Sequence, residues 1–149
     1  MYNGDKIYKK ILLCVDGSKF AERAAEHALF ISSFSDAEVM FLSVVETNFS
    51  AGLPADESIY QINGLLKQEA EKNVEKVLKV GKNGFNDIKT TTKIDEGSPS
   101  EIILETIEKE NIDLVIMGNS GKSGFDKLII GSVADKVTKK ATCSVLIAQ

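Results

Sequence analysis

Residues Met117–Ser132 read MGNSGKSGFDKLIIGS, and the fold turns on how this stretch is read. It follows the apolar run Leu114–Met117 and leads into a helical pattern that begins at Ser132. A short apolar run, a glycine-bearing loop and a helix start form a strand–loop–helix unit. Glycines stand at 118, 121, 124 and 131. Glycine lets backbone approach a ligand closely, and a helix N-terminus offers unpaired N–H groups at the positive end of its dipole. Ser120, Ser123 and Ser132 add hydroxyls, and Lys122 and Lys127 add charge. Each residue alone also suits a tight strand exit or a helix cap. The combination is different. The loop is longer than the roughly 2–6 residues usual between strand and helix, yet Phe125, Leu128, Ile129 and Ile130 can pin it down. Such a loop suits a polyphosphate.

Two common phosphate motifs fail here. Walker A needs glycine five residues before the Gly of Gly-Lys-Ser, and Ile116 occupies that place before Gly121. The dinucleotide pattern G-x-G-x-x-G is absent as well. The pattern present is G-x2-G-x9-G-S, made by Gly118, Gly121, Gly131 and Ser132.

Working outward, Ile11–Val15 is a continuous apolar run, as expected of a strand buried on both faces. It ends in Asp16-Gly17-Ser18. Apolar residues at 20, 21, 24, 25, 28, 29 and 31 then mark one face of a helix through Ser33. The lone histidine, His27, falls off that stripe and reads as a surface residue. Ser35-Asp36 ends the helix, and Val39–Val45 is a second buried strand. Residues 46–57 hold Gly52 and Pro54 without periodicity and read as a loop. Ile59, Ile62, Leu66, Ala70, Val74 and Val77 give the longest helix, Ser58–Val80. Threonine-rich alternation with lysines over Ile88–Asp95 suits an edge strand. Ser98 and Glu101 have the spacing of a capping box, with Pro99 at the first helical position. That helix runs to about Glu110. A last helix spans Ser132–Ala141, and Ser144–Ala148 is the final strand. Strands alternating with helices give an α/β fold, a single open and mostly parallel five-stranded sheet with helices on both faces. There is no internal repeat or linker, so one domain is expected over residues 1–149.

Composition bounds the function. At 149 residues the chain can bury a sizeable core, and 43% hydrophobic with 27% charged residues is ordinary for a globular protein. Net charge −4 argues against nucleic acid as a partner. No apolar run approaches the roughly 20 residues of a membrane helix, and MYNGDKIYKK lacks a signal-peptide core, so a cytoplasmic protein without a membrane partner is expected. Cys14 and Cys143 read as buried free thiols, and one histidine without Cys-x-x-Cys makes a metal site improbable.

The glycine spacing resembles the ATP-binding signature of the universal stress protein family. The resemblance continues through Ser132-Val133-Ala134 and Ala141-Thr142-Cys143-Ser144-Val145-Leu146, and covers nearly the whole chain. It implies a Rossmann-like sheet of order 3-2-1-4-5. It also implies a site at the carboxyl ends of strands one and four, where Asp16 contacts the ribose and the backbone of Val44 reads the adenine edge. Gly118, Ser120 and Gly121 approach ribose and the first phosphates. Gly131, Ser132 and Val133 hold the outer phosphates. Asn119 stands where the family varies and carries less weight. The implied ligand is ATP, with AMP or another adenine nucleotide as alternatives, accompanied by Mg²⁺ or Mn²⁺. A homodimer through the edge Val145–Ala148 is implied too. One departure is Cys143-Ser144-Val145, where the family often has Cys-Pro-Val.

The expectation is an ATP-binding regulatory or stress-response protein with slow or absent hydrolysis. No catalytic residue is assigned, since Asp126 is the only acid in the loop and has no evident partner. A weak ATPase is the enzymatic alternative. A nucleotidyl transferase would carry a histidine phosphate motif, and His27 lies in the first helix. A non-nucleotide dimeric scaffold is the third reading, and the glycine signature argues against it.

Overall fold

The computed structural model describes residues 7–47, 57–82, 84, 85, 87–119 and 129–149. In chain order the elements are β1 Lys10–Cys14, α1 Lys19–Ser35, β2 Glu38–Glu46, α2 Glu57–Lys82, β3 Thr90–Gly97, α3 Pro99–Lys109, β4 Leu114–Gly118, α4 Ser132–Lys140 and β5 Ser144–Ala148. The five strands form one parallel sheet of order β3-β2-β1-β4-β5, the expected Rossmann-like arrangement.

The inner strands are apolar over Ile11–Cys14, Val39–Leu42 and Leu114–Met117 because both of their faces are covered there. Ile11, Leu13, Val39, Phe41, Leu114 and Ile116 face Ala24, Ala25, Ala28 and Leu29 of α1 and Val74 and Val77 of α2. The alternate residues Leu12, Met40, Leu42, Val115 and Met117 face Ile103 and Ile107 of α3 and Ala134 and Val137 of α4. Four buried alanines on α1, Ala21, Ala24, Ala25 and Ala28, let that helix lie close to the sheet. β3 is indeed an edge strand, with Thr90, Thr91 and Thr92 exposed. It starts later and ends later than the alternation suggests, because its register with β2 runs from Val39↔Thr90 to Glu46↔Gly97. Ile88 packs on the core ahead of the strand.

The helix ends follow local chemistry. Ser18 caps α1, its hydroxyl accepting from the Ala21 N–H at 3.1 Å. Asp36 in the left-handed region (φ 53°) stops α1, its N–H reaching the Ser32 carbonyl. The capping box expected at α3 does not form. Ser98 is the N-cap, but its side chain makes no cap hydrogen bond, and the first turn is set by Pro99 and the Ile102 N–H to Ser98 carbonyl bond. α2 is 26 residues, about 39 Å at 1.5 Å per residue, longer than any strand it crosses. Its buried residues begin at Ala70, so the turns from Glu57 onward extend past the carboxyl edge of the sheet.

The two-faced core predicts an asymmetric response. Ile116→Ala, at a fully buried central position, is expected to lower stability by about 2–5 kcal/mol in urea unfolding. Thr91→Ala on the exposed edge strand is expected to change it by under about 0.5 kcal/mol.

Candidate functional site

β1 and β4 are neighbours, with Leu13 opposite Ile116. The chain leaves β1 toward α1 on one face and leaves β4 toward α4 on the other. In open parallel sheets such a divergence leaves a crevice at the carboxyl ends, the usual place for a ligand. The registers align the flanking residues. Val44 pairs with Asp95, and extending the β1–β2 and β1–β4 registers past the last paired residues sets Asp16 level with Val44 and with Asn119. The Val15 N–H to Leu42 carbonyl bond at 2.8 Å carries the first of these ladders beyond Cys14. Asp16 and Val44, far apart in sequence, therefore stand in one row across the sheet edge.

Asp16 is exposed, and its Oδ1 accepts from the Ser18 N–H at 2.9 Å. This Asx turn holds the carboxylate at the mouth of the crevice. Gly17 has φ 80°, a conformation that disfavours any side chain. Cys14 lies just below. Burial, and secondarily the charge of Asp16, push its thiol up to about 12, so it stays neutral and is not a nucleophile at ordinary pH.

Gly118 ends β4, and its missing side chain has a packing reason. A Cβ there would come within 2.6 Å of the Phe20 Cβ, 2.8 Å of the Phe20 carbonyl carbon and 3.1 Å of the Ala21 nitrogen. The first turn of α1 thus rests directly on Gly118. Asn119 is 2% exposed. Its N–H donates to the Ala148 carbonyl at 2.8 Å, and its carbonyl accepts from the Gly131 N–H at 2.7 Å. It therefore ties the end of β4 to the end of β5 and to the start of α4, while its side-chain Oδ1 is buried without a hydrogen-bond partner.

Gly131, rather than Ser132, is the N-cap of α4, with φ −62° and ψ 154°. Its N–H is engaged by Asn119, so it spaces the helix start and does not offer its own amide. No side-chain cap covers the first turn. Exposed Ser132 and half-buried Val133 are the residues left to present N–H groups and a hydroxyl there. Ser120 and Gly121 lie outside the described residues, as do Ser123, Lys122, Lys127, Asp126 and residues 48–56. Among the described residues no group of three or more His, Cys, Asp or Glu side chains could hold a metal ion, and no helix is long and apolar enough to cross a membrane. His27 is exposed on α1, as its place off the apolar stripe suggests.

The structure therefore brings together Asp16, Val44, Gly118 and the Gly131–Val133 helix start. Asn119, given less weight from the sequence, proves to tie β4 to β5 and to α4. One residue escaped the sequence reading. Asn73, whose amide lies against Gly17, carries no signal there, since it stands on a helix some 55 residues away along the chain.

Residues 7–149 match the family model described as the universal stress protein family. The chain belongs to the universal stress protein family. A universal stress protein of Methanocaldococcus jannaschii is 40% identical over 147 residues, which cover 99% of this chain and 85% of that one. Among solved structures, universal stress protein UspA from Lactobacillus plantarum superposes with a TM-score of 0.87 at 22% identity, over 95% of this chain and 98% of that one. This shows that the universal stress protein fold is shared. Two more distant structures of the same fold were solved with nucleotides. One is a universal stress protein in complex with cAMP (TM-score 0.62, 22% identity, 95% of this chain and 97% of that one). The other is an Arabidopsis thaliana universal stress protein family protein with AMP bound (TM-score 0.59, 19% identity, 94% of this chain and 90% of that one).

Two outcomes follow from this geometry. Gly118→Ala forces a Cβ onto α1 backbone and is expected to cost about 1–3 kcal/mol, read as a lower thermal midpoint without any ligand present. Cys14 keeps its proton to about 12 when folded, against an ordinary value of 9.0. Between those values the unfolded chain has lost a proton that the folded chain retains, so this contribution is whole below pH 9.0 and falls as pH rises toward 12. Urea midpoints are expected to drop from about pH 8 to about pH 11, and Cys14→Ala is expected to lessen that drop.

Proposed function

We propose that this universal stress protein binds an adenine nucleotide, ATP foremost, at the carboxyl edge of β1 and β4, and that occupancy of this site is a regulatory signal. The observation that supports the reading is that β1 and β4 are paired neighbours whose chains leave toward opposite faces, with Asp16 two residues past the end of β1 and an α4 start that has no side-chain cap after β4. The nucleotides held by two proteins of the same fold support it.

The residues fit such a ligand. The Asp16 carboxylate keeps one oxygen free of its own turn, and an acceptor suits a sugar diol. Val44 is half-buried two residues before the end of β2, where its backbone can face a planar base. Ser132 and Val133 open α4 with the positive end of the helix dipole, which suits phosphate oxygens. Asp135 in the same turn is neutralised by Lys139 at 2.8 Å, which lessens its repulsion of an anion. Ser120 and Gly121 complete the loop by sequence pattern alone. A bound triphosphate would bring Mg²⁺ or Mn²⁺ with it, the ion being carried by phosphate oxygens.

Hydrolysis is expected to be slow or absent, so the protein reads as a binder and not a turnover enzyme. A second copy is proposed to pair along β5, which is an edge strand with a half-buried Val145-Leu146-Ile147.

Calorimetric titration of nucleotide-stripped protein with ATP, AMP and cyclic AMP, with and without Mg²⁺, tests the reading. Micromolar binding with ATP intact afterwards is expected, and Asp16→Ala is expected to weaken it by about tenfold or more. Steady turnover above about 1 per second would establish the enzyme instead. Absence of binding by all three nucleotides would leave the dimeric scaffold.

A further inference from the structure

α2 meets the Asp16-Gly17-Ser18 turn at one point, and the contact is made by a carboxamide. A Cβ built on Gly17 would stand 2.6 Å from the Asn73 Nδ2 and 2.8 Å from its Cγ and Oδ1. The amide group of Asn73 therefore lies directly against the backbone of Gly17, the residue that follows Asp16 in the chain. Asn73 is half-buried, and Asp16 and Gly17 are exposed, so the neighbourhood is open to a ligand. One turn further along α2, Lys76 pairs with Glu22 in the first turn of α1.

The amide is half-buried and still open to solvent, so it can take up a ligand without first losing a protein partner. An apolar residue would pack on a glycine equally well, and the same stripe of α2 supplies them at Ala70, Val74 and Val77. No hydrogen bond joins the Asn73 amide to another described residue. The group offers two donors and one acceptor, and the turn it touches carries the acceptor-only carboxylate of Asp16. Together they match vicinal hydroxyls, which each donate one hydrogen bond and accept others.

We infer that Asn73 is a further recognition residue of this site and takes a sugar hydroxyl of the bound nucleoside alongside Asp16. The inference rests on the nucleotide reading above. It adds a residue from α2 to a site otherwise proposed from β1, β2, β4 and the start of α4.

The test is a chemical double-mutant cycle. Wild type and Asn73→Ala are titrated with ATP and with 2′,3′-dideoxy-ATP, which lacks both hydroxyls. Asn73→Ala is expected to weaken ATP about tenfold and dideoxy-ATP less than about twofold. Asn73→Leu, which keeps the bulk against Gly17 without charge or hydrogen-bonding groups, is expected to show the same ATP-selective loss. Equal losses for both ligands would make Asn73 a packing residue and overturn the inference, as would full ATP affinity in both variants. Wild type that binds neither ligand would instead remove the nucleotide reading, and the inference with it.

Discussion

The pairing of β1 with β4 is the constraint on which the rest depends. These two strands are buried on both faces, and their side chains reach α1 and α2 on one side and α3 and α4 on the other. Once Leu13 is opposite Ile116, the turn after β1 and the loop after β4 leave from adjacent positions and diverge. A crevice is then unavoidable, because no crossover covers the place where the chain goes both ways. A slip of one residue would turn Ile116 from one layer to the other and Gly118 away from α1. Register, core and site are in this sense one decision.

Gly118 shows how packing and ligand chemistry can claim one residue. Its lack of a side chain is demanded by Phe20 and Ala21, whatever is bound above. The close seat of α1 that results brings the Asp16-Gly17-Ser18 turn near the end of β4. The glycine thus shapes the crevice through the helix and not only through its own backbone. Asn119 works next to it, fastening β5 and α4 to the same strand end with two backbone hydrogen bonds. The start of α4 is held by that bond, which leaves the amides of Ser132 and Val133, rather than that of Gly131, to face outward.

Much of this was legible beforehand. Continuous apolar runs marked the central strands, since a strand covered on both faces has no polar alternate positions. Threonine and lysine alternation marked β3 as an edge. Asp16 was legible because it follows a buried strand, and Ser132 because it opens a helix after glycine. The errors were local and had local causes. The Ser98–Glu101 spacing allowed a capping box that the α3 start does not use. Ser132 resembled an N-cap by type, but Gly131 takes that place because its N–H is held by the Asn119 carbonyl. The β3 limits moved because a parallel partner, not the strand's own alternation, decides where a ladder ends.

By itself the sequence determined the order and type of the elements, the two-faced character of the sheet and the chemical kinds of residue near its carboxyl edge. These follow from periodicity and from glycine, proline and hydroxyl chemistry, all of which act over a few residues. The tertiary structure decided which of those residues meet. The row of Val44, Asp16 and Asn119, the seat of α1 on Gly118 and the approach of Asn73 to Gly17 join positions between about 28 and 103 apart in sequence. Such contacts arise from sheet register and helix packing, which no local pattern encodes.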